Sequence, residues 1–153
     1  MYTKCLLAHA VSAFQVTNVQ QQDDPNGMDI LGEPKFYTSG KCYDKPWGRP
    51  QNDGPGLRAR ALLKYAFQLL TGSLPGGKDY VLKRLYHPGG QLPIYHDLNY
   101  LVNHWKDDSF DLWEEIKGQH FFTKMAQRKA LLYGTELANQ LGNLHGPRHA
   151  YRI

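Results

Sequence analysis

Three carboxylates and an indole lie within five consecutive residues, Asp111, Leu112, Trp113, Glu114 and Glu115. Glycoside hydrolysis uses carboxylates in this way, with one kept protonated near neutral pH so that it can donate to the leaving oxygen. An apolar wall such as Trp113, or a like charge nearby, raises a carboxyl pKa enough for that role. A structural interpretation stays open beside the chemical one. Acidic residues at the start of a helix complement its macrodipole, and a helical pattern follows this segment.

A second segment rich in functional groups surrounds Trp47. An indole beside glycine offers an open aromatic face, which suits stacking on the apolar face of a sugar. Arg49, Gln51 and Asp53 offer a guanidinium fork, an amide and a carboxylate that can bind hydroxyls or orient neighbouring acids. The alternative is again structural: Trp47 fills a core, and Asn52 or Asp53 caps the helix that follows.

Size and composition fit one globular unit. The chain has 153 residues, of which 41% are hydrophobic and 21% are charged, and this is enough to bury a core. The formal charge of +4 is mild, and the Lys and Arg residues form no dense run of the kind that binds nucleic acid. The seven His residues are also scattered, so no metal or other cofactor is expected. Cys5 and Cys42 form neither a CxxC motif nor a disulfide framework.

Apolar periodicity predicts about five helices and almost no strand. The helical segments are residues 4–20, 54–70, 78–86, a stretch after Pro93 that reaches Trp105, and a stretch from Phe121 to Leu141 that stops at Gly142. The last helix should carry the longest apolar stripe, formed by Phe122, Met125, Ala126, Ala130, Tyr133, Leu137 and Leu141. Residues 28–56 have no helical period, and long structured loops in compact domains are usually functional. The sequence therefore predicts an all-α fold whose chemistry lies in its loops.

Three stretches of the chain closely resemble one enzyme family. In chain order they are residues 31–36 (Leu-Gly-Glu-Pro-Lys-Phe), 47–59 (Trp-Gly-Arg-Pro-Gln-Asn-Asp-Gly-Pro, then Leu-Arg-Ala at 57–59) and 111–123 (Asp-Leu-Trp-Glu-Glu, then Gly118 and Phe-Phe-Thr). Their order and residue types resemble the glucoamylases of fungi and yeasts, glycoside hydrolase family 15. The resemblance implies an α/α toroid of six helical hairpins, with the active site in the loops at one end.

The resemblance also implies roles for individual residues. Glu114 matches the general acid that protonates the glycosidic oxygen, and Asp111 matches a second active-site carboxylate that is sometimes described as the proton acceptor. Glu115 matches a residue that binds sugar hydroxyls on the leaving side, Trp47 matches a substrate-contacting tryptophan, and Arg49 is a further candidate for substrate binding. The implied reaction releases glucose, with inversion, from the non-reducing ends of α-1,4-glucans. Asp111 and Glu114 are close enough in sequence to face one another over a turn, so each raises the cost of ionising the other.

The sequence departs from this family in places. The family's upstream segment that grips the terminal glucose has no counterpart before Leu31, and its general base, a downstream glutamate, falls beyond the last residue here. Ser109 stands where the family usually has glycine. We therefore interpret residues 1–142 as a partial glucoamylase-like catalytic domain and residues 143–153 as a divergent, loose tail.

Two further interpretations stay open. One is a catalytically inactive helical fragment, which either binds glucan without turnover or is a pseudogene-like product. The other is a helical interaction protein in which Trp47 and Trp105 are core residues and the acids are helix caps. A partial toroid leaves apolar helix faces unpaired, which predicts self-association. The family implies a secreted or vacuolar location, although the N-terminal apolar run is broken by His9 and resembles a signal peptide only faintly.

Overall fold

The computed structural model describes residues 31–32, 35–39, 41, 43, 45, 47–48, 50–88 and 92–142. In chain order the elements are α1 (Gly54–Leu70), α2 (Gly77–Tyr80), a π-helical segment (Val81–Leu85), α3 (Pro93–His104), β1 (Ser109–Phe110), β2 (Lys117–Gly118) and α4 (Phe121–Gln140). This mostly helical architecture confirms the predicted all-α class and four of the predicted helical segments. The fifth, residues 4–20, lies outside the described residues, as does the tail from residue 143.

Helix α1 is the centre of the described fold. Pro55 suits its first turn, because the missing N–H and the fixed φ of proline cost nothing there. The helix ends at Leu70, and Gly72 follows at a φ of 77°, a left-handed conformation that glycine adopts without strain. Its buried apolar residues recur at helical spacing: Ala59, Leu62, Leu63, Ala66 and Leu69. This stripe packs against α3 and α4.

Two glycines let the helices approach closely. A Cβ atom on Gly56 of α1 would lie 3.0 Å from the backbone of both Ala126 and Gln127 in α4. A Cβ atom on Gly134 of α4 would lie 2.5 Å from Cδ1 of Leu98 in α3. A Cβ atom at Gly56 would press on backbone that cannot easily move, and one at Gly134 would require the Leu98 side chain to shift. The absence of a side chain at both positions therefore favours the close packing of α4 on its neighbours.

The predicted stripe of α4 is only partly correct. Ala126, Ala130 and Leu137 are buried as expected, but Phe122 and Met125 are exposed. The buried face instead includes small and polar residues that fit the close contact with α1: the buried residues are Thr123, Ala126, Gln127, Ala130, Leu131, Gly134, Leu137 and Ala138. Gly142, at a φ of 73°, follows the helix where the sequence predicted its stop. In the described part of the chain, no helix combines the length and the apolar character that crossing a bilayer requires.

Candidate active site

The acidic segment lies in the loop of a β-hairpin. Strands β1 and β2 pair antiparallel, with Ser109 opposite Gly118 and Phe110 opposite Lys117, and residues 111–116 form the loop between them. Helix α4 begins after the hairpin and has no acidic residue in its first turn. The interpretation of these acids as a helix start or as helix caps is therefore wrong. Periodicity missed the hairpin because each strand is two residues long, too short to show alternation.

The carboxylate of Asp111 organises the loop. Its Oδ1 atom accepts hydrogen bonds from the backbone N–H groups of Glu115 at 2.8 Å and Ile116 at 3.0 Å. The backbone N–H of Asp111 donates to the Ile116 carbonyl at 3.0 Å, and that of Glu114 donates to the Asp111 carbonyl at 3.0 Å. The bond from Ile116, followed by that from Glu115, holds the pKa of Asp111 below its ordinary value of 3.8. Asp111 is therefore ionised at neutral pH.

Glu114 stands at the strained point of the same loop. Its φ of 58° is the one positive φ found among the described non-glycine residues. For a residue with a Cβ atom, the left-handed conformation costs about 1–2 kcal/mol. The loop hydrogen bonds to Asp111 hold the backbone in this conformation, and the Glu114 side chain is exposed. Strain held in place by neighbouring contacts often marks a functional residue.

Trp113 does not form the apolar wall that the sequence suggested. Its side chain is 81% exposed, so it does not bury the carboxyl of its neighbour Glu114. Leu112 and Ile116 of the same loop are 50% and 64% exposed. The loop thus presents one free indole and two aliphatic side chains beside the carboxylate.

The structure brings the segment around Trp47 against the acidic hairpin. The backbone N–H of Phe110 donates to the Pro50 carbonyl at 2.8 Å, and Gln51 Nε2 donates to the Asp111 carbonyl at 3.2 Å. Two segments that are 60 residues apart therefore share one loop cluster. Gln51, which the sequence suggested as a sugar ligand or an orienting group, contacts the loop through its amide.

Trp47 is half-buried, and one face of its ring is occupied. Nζ of Lys35 lies 3.9 Å from the centroid of the Trp47 ring and 4.8 Å from that of Tyr43, which is cation–π geometry. A sugar that stacked on this face would have to displace the ammonium group. Arg49, the neighbouring candidate, lies outside the described residues.

Asn52 and Asp53 join this segment to the helices. Asn52 accepts hydrogen bonds from the Tyr100 hydroxyl at its Oδ1 atom, at 3.0 Å, and from Gln127 Nε2 at its carbonyl, at 3.1 Å. Asp53 occupies the N-cap position of α1 but makes no side-chain capping hydrogen bond there. Burial raises the pKa of Asp53 above its ordinary value. Asp53 therefore stands where the predicted cap should be, but its side chain does not cap the helix.

Several supporting residues were not singled out in the sequence. Arg58 and Asp97 form a buried bidentate ion pair, with Nε 3.0 Å from Oδ2 and Nη2 2.5 Å from Oδ1. Arg58 also donates to the Leu31 carbonyl at 3.5 Å, which ties the first matching segment to α1. His120 Nε2 lies 2.8 Å from the Ile116 carbonyl, at the far end of the acidic loop. A charged residue inside a predicted apolar stripe was the available signal for Asp97, but nothing local indicates its partner 39 residues away.

Comparison with known proteins fixes the family of this chain and the class of its fold. The family model described as "Glycosyl hydrolases family 15" matches residues 6–152. The glucoamylase of Blastobotrys adeninivorans is 40% identical over 146 residues, which cover 94% of this chain and 22% of that protein. A probable glucoamylase of Schizosaccharomyces pombe is 40% identical over 131 residues, which cover 84% of this chain and 27% of that protein. The chain thus spans about a quarter of the length of these relatives.

The solved structures agree. The family 15 glucoamylase of Hypocrea jecorina superposes with a TM-score of 0.70 and 35% identity, covering 95% of this chain and 22% of that one. The helices described here are therefore part of an α/α toroid. The chain belongs to glycosyl hydrolase family 15, as its motifs indicated.

Proposed function

We propose that the chain supplies the general-acid side of a glucoamylase-type active site. The reaction releases glucose, with inversion, from the non-reducing ends of α-1,4-glucans such as starch, glycogen and maltooligosaccharides. The observation that carries the proposal is the loop of residues 111–116, which holds Glu114 exposed in a strained conformation next to a fixed, ionised Asp111. Matching relatives that are named glucoamylases support the choice of substrate.

In this proposal Glu114 donates the proton and Asp111 positions it. An acid whose Oδ1 atom already accepts two backbone hydrogen bonds, and whose pKa is lowered, is poorly suited to hold or collect a proton at neutral pH. Asp111 therefore acts through the loop backbone, as a positioning residue. This assignment differs from a direct role as proton acceptor.

Substrate contacts in the proposal come from both segments. Glu115 is exposed beside the acid and offers a carboxylate to sugar hydroxyls on the leaving side. Trp47 and Arg49 lie on the other segment, which the contacts of Pro50 and Gln51 join to the hairpin. A sugar can stack on this face of Trp47 when the Lys35 ammonium moves away from the ring.

Inversion needs a second carboxylate that activates water about 6.5–9.5 Å from the acid. Asp111 is committed to the loop backbone, and Glu115 directly follows Glu114 on the same turn. The proposal therefore assigns the base to a carboxylate outside residues 111–116.

The test is glucose release from maltooligosaccharides by the purified chain. We expect release to fall to background in Glu114→Gln, because the amide keeps the size of the side chain but cannot donate the acidic proton. Glu136→Gln is the matched control, since it makes the same change at an exposed glutamate of α4. Release above background that is equal in the unaltered chain and in Glu114→Gln would contradict the proposal.

A second candidate function, glucan binding without turnover, is favoured by the 81% exposure of Trp113. A free indole in a loop that also carries carboxylates is a ready stacking surface for a sugar ring. Retention of the chain on immobilised starch should then fall in Trp113→Ala. Leu132→Ala, which removes another exposed apolar side chain, should leave retention unchanged. Equal loss in both variants would indicate nonspecific adsorption instead.

A further inference from the structure

A pocket lies at the base of the hairpin. It has a volume of about 250 Å³, and the described residues lining it are Trp105, Gln119, Lys124, Gln127 and Arg128. None of these belongs to the acidic loop, and neither the family motifs nor the proposed reaction uses them. The pocket is formed by the end of α3, the residue after β2 and the first turns of α4.

One residue that lines this pocket, Gln127, has a buried acceptor without a partner among the residues that the structure describes. Gln127 is 3% exposed, and its Nε2 atom donates to the Asn52 carbonyl at 3.1 Å. That bond fixes the orientation of the amide, since the carbonyl accepts only from the NH₂ end. Within the described part of the chain the Oε1 atom of Gln127 has no hydrogen-bond partner. A buried acceptor of this kind calls for a donor, such as a hydroxyl, from whatever fills the pocket.

The two cationic side chains of the pocket, Lys124 and Arg128, differ in the contacts that they already make. Lys124 donates a hydrogen bond to the Trp105 carbonyl, and the negative charges of Asp108 and Asp107 attract its ammonium group. Arg128 is exposed and makes no hydrogen bond or ion pair with the residues that the structure describes. Its guanidinium fork is thus available for a carboxylate or a phosphate. The indole of Trp105 adds an apolar wall.

We propose that this pocket binds a small hydroxylated anion. A hydroxyl donates to Gln127 Oε1, the anionic group pairs with the guanidinium of Arg128, and the carbon skeleton packs against Trp105. Sugar phosphates and sugar acids share this chemistry, and about 250 Å³ accommodates a ligand of monosaccharide size. The site is separate from the residues of the proposed reaction, so its occupation and glucose release can be measured independently.

The test is calorimetric titration of the purified chain with four probes: glucose 6-phosphate, glucuronate, glucose and inorganic phosphate. We expect glucose 6-phosphate or glucuronate to bind about tenfold more tightly than glucose or phosphate, because each of the latter offers only half of the required groups. Whichever of the two binds more tightly identifies the anionic group. Binding of phosphate as tightly as both sugar anions would reduce the site to a nonspecific anion contact and overturn the proposal.

Variants locate the site. Arg128→Gln should weaken binding of the preferred anion about tenfold, and Arg128→Lys should restore part of the loss. Lys129→Gln is the matched control, since it removes an exposed positive charge from the adjacent position, where the ammonium lies 4.6 Å from the Tyr133 ring centroid. Gln127→Met should weaken binding as well, with thermal melting recorded to show that the variant is folded. Unchanged binding in folded Arg128→Gln and Gln127→Met, or no binding by either sugar anion, would overturn the proposal.

Discussion

Oδ1 of Asp111 lies 3.0 Å from the backbone nitrogen of Ile116, and this hydrogen bond closes the loop that carries Glu114. The same oxygen accepts from Glu115, so one carboxylate fixes the backbone on the C-terminal side of the candidate acid. The strained φ of Glu114 and the ionised state of Asp111 are therefore two aspects of one arrangement. Each has a consequence that can be measured.

The first prediction concerns pH. Because the folded-state pKa of Asp111 is depressed below 3.8, its ionisation stabilises the loop at pH values above 3.8. That stabilisation is lost as the pH falls through the lower folded-state pKa. The amide proton shifts of Glu115 and Ile116, followed by NMR during acid titration, should report this transition.

Asp111→Asn is the control for the titration, since its side-chain oxygen still accepts hydrogen bonds but does not ionise in this range. The two amide shifts should then lose the transition. A transition at or above the ordinary carboxyl pKa in the unaltered chain would contradict the assignment of Asp111 as the ionised centre of the loop.

The second prediction uses the strain at Glu114. Glycine adopts a φ of 58° freely, so Glu114→Gly should relieve the left-handed penalty, although glycine also loses more backbone entropy on folding. We expect a net gain of about 0.5–1 kcal/mol in the free energy of unfolding, measured by urea denaturation, with loss of glucose release. Glu114→Ala keeps the strained backbone and should lose activity without gaining stability. Equal stability of the two variants would show that the loop is not strained at this residue.

The helices and the two functional segments follow from sequence for a physical reason. The stripes of α1 and α3 are local patterns, and proline and glycine at their ends are local signals. The hairpin is different, because Phe110 depends on a hydrogen bond to Pro50 that periodicity does not encode. Periodicity likewise does not encode the hydrogen bonds of the Asp111 carboxylate, because they depend on the conformation of the turn. It also does not encode the contact between the Lys35 ammonium and the Trp47 ring. The residue types indicated the chemistry, but only the contacts in the folded chain show that the Asp111 carboxylate is bound to the loop backbone.

The third prediction concerns the buried ion pair of Arg58 and Asp97. Removing one partner leaves a charge buried without compensation, so Asp97→Leu alone should cost about 3–5 kcal/mol of unfolding free energy. The double variant Arg58→Met with Asp97→Leu should recover much of this loss, since neither charge remains. Denaturant unfolding of the single and double variants measures the difference. If the double variant is as destabilised as the sum of Asp97→Leu and Arg58→Met, the two residues are not energetically coupled, which would contradict the prediction.

The same pair gives a pH dependence of its own. Burial raises the pKa of Asp97 to about 6, against the opposing effect of Arg58. Between the ordinary value of 3.8 and about 6 the folded chain therefore binds more protons at this site than the unfolded chain. The contribution of Asp97 to stability should accordingly fall as the pH rises through this window and level off above it. Subtracting the pH profile of the Asp97→Asn variant isolates this contribution, and a profile that rises across the window would contradict it.

The fourth prediction tests the close approach of α1 and α4. A Cβ atom at Gly56 meets the backbone of Ala126 and Gln127, which cannot move aside as a flexible side chain can. Gly56→Ala should therefore destabilise the chain by about 1–3 kcal/mol despite the better helix propensity of alanine. Gly48→Ala is the matched control, because a Cβ atom there would have no neighbour within 4 Å among the described residues. Thermal or urea unfolding compares the two, and equal stability would show that the helices can separate at little cost.

The fifth prediction concerns self-association through exposed apolar side chains. Trp113 and Phe121 are each 81% exposed, and Leu112, Ile116 and Phe122 of the same loop and helix start are 50%, 64% and 45% exposed. Apolar groups concentrated in this way favour association, because contact removes them from water. The weight-average mass in sedimentation equilibrium should therefore rise with protein concentration, and the double variant Trp113→Ser with Phe121→Ser should reduce the rise. Leu132→Ser, at an exposed position farther along α4, should have a smaller effect. A mass that stays monomeric at all concentrations, or an equal effect of Leu132→Ser, would rule out the hairpin and the start of α4 as the associating surface.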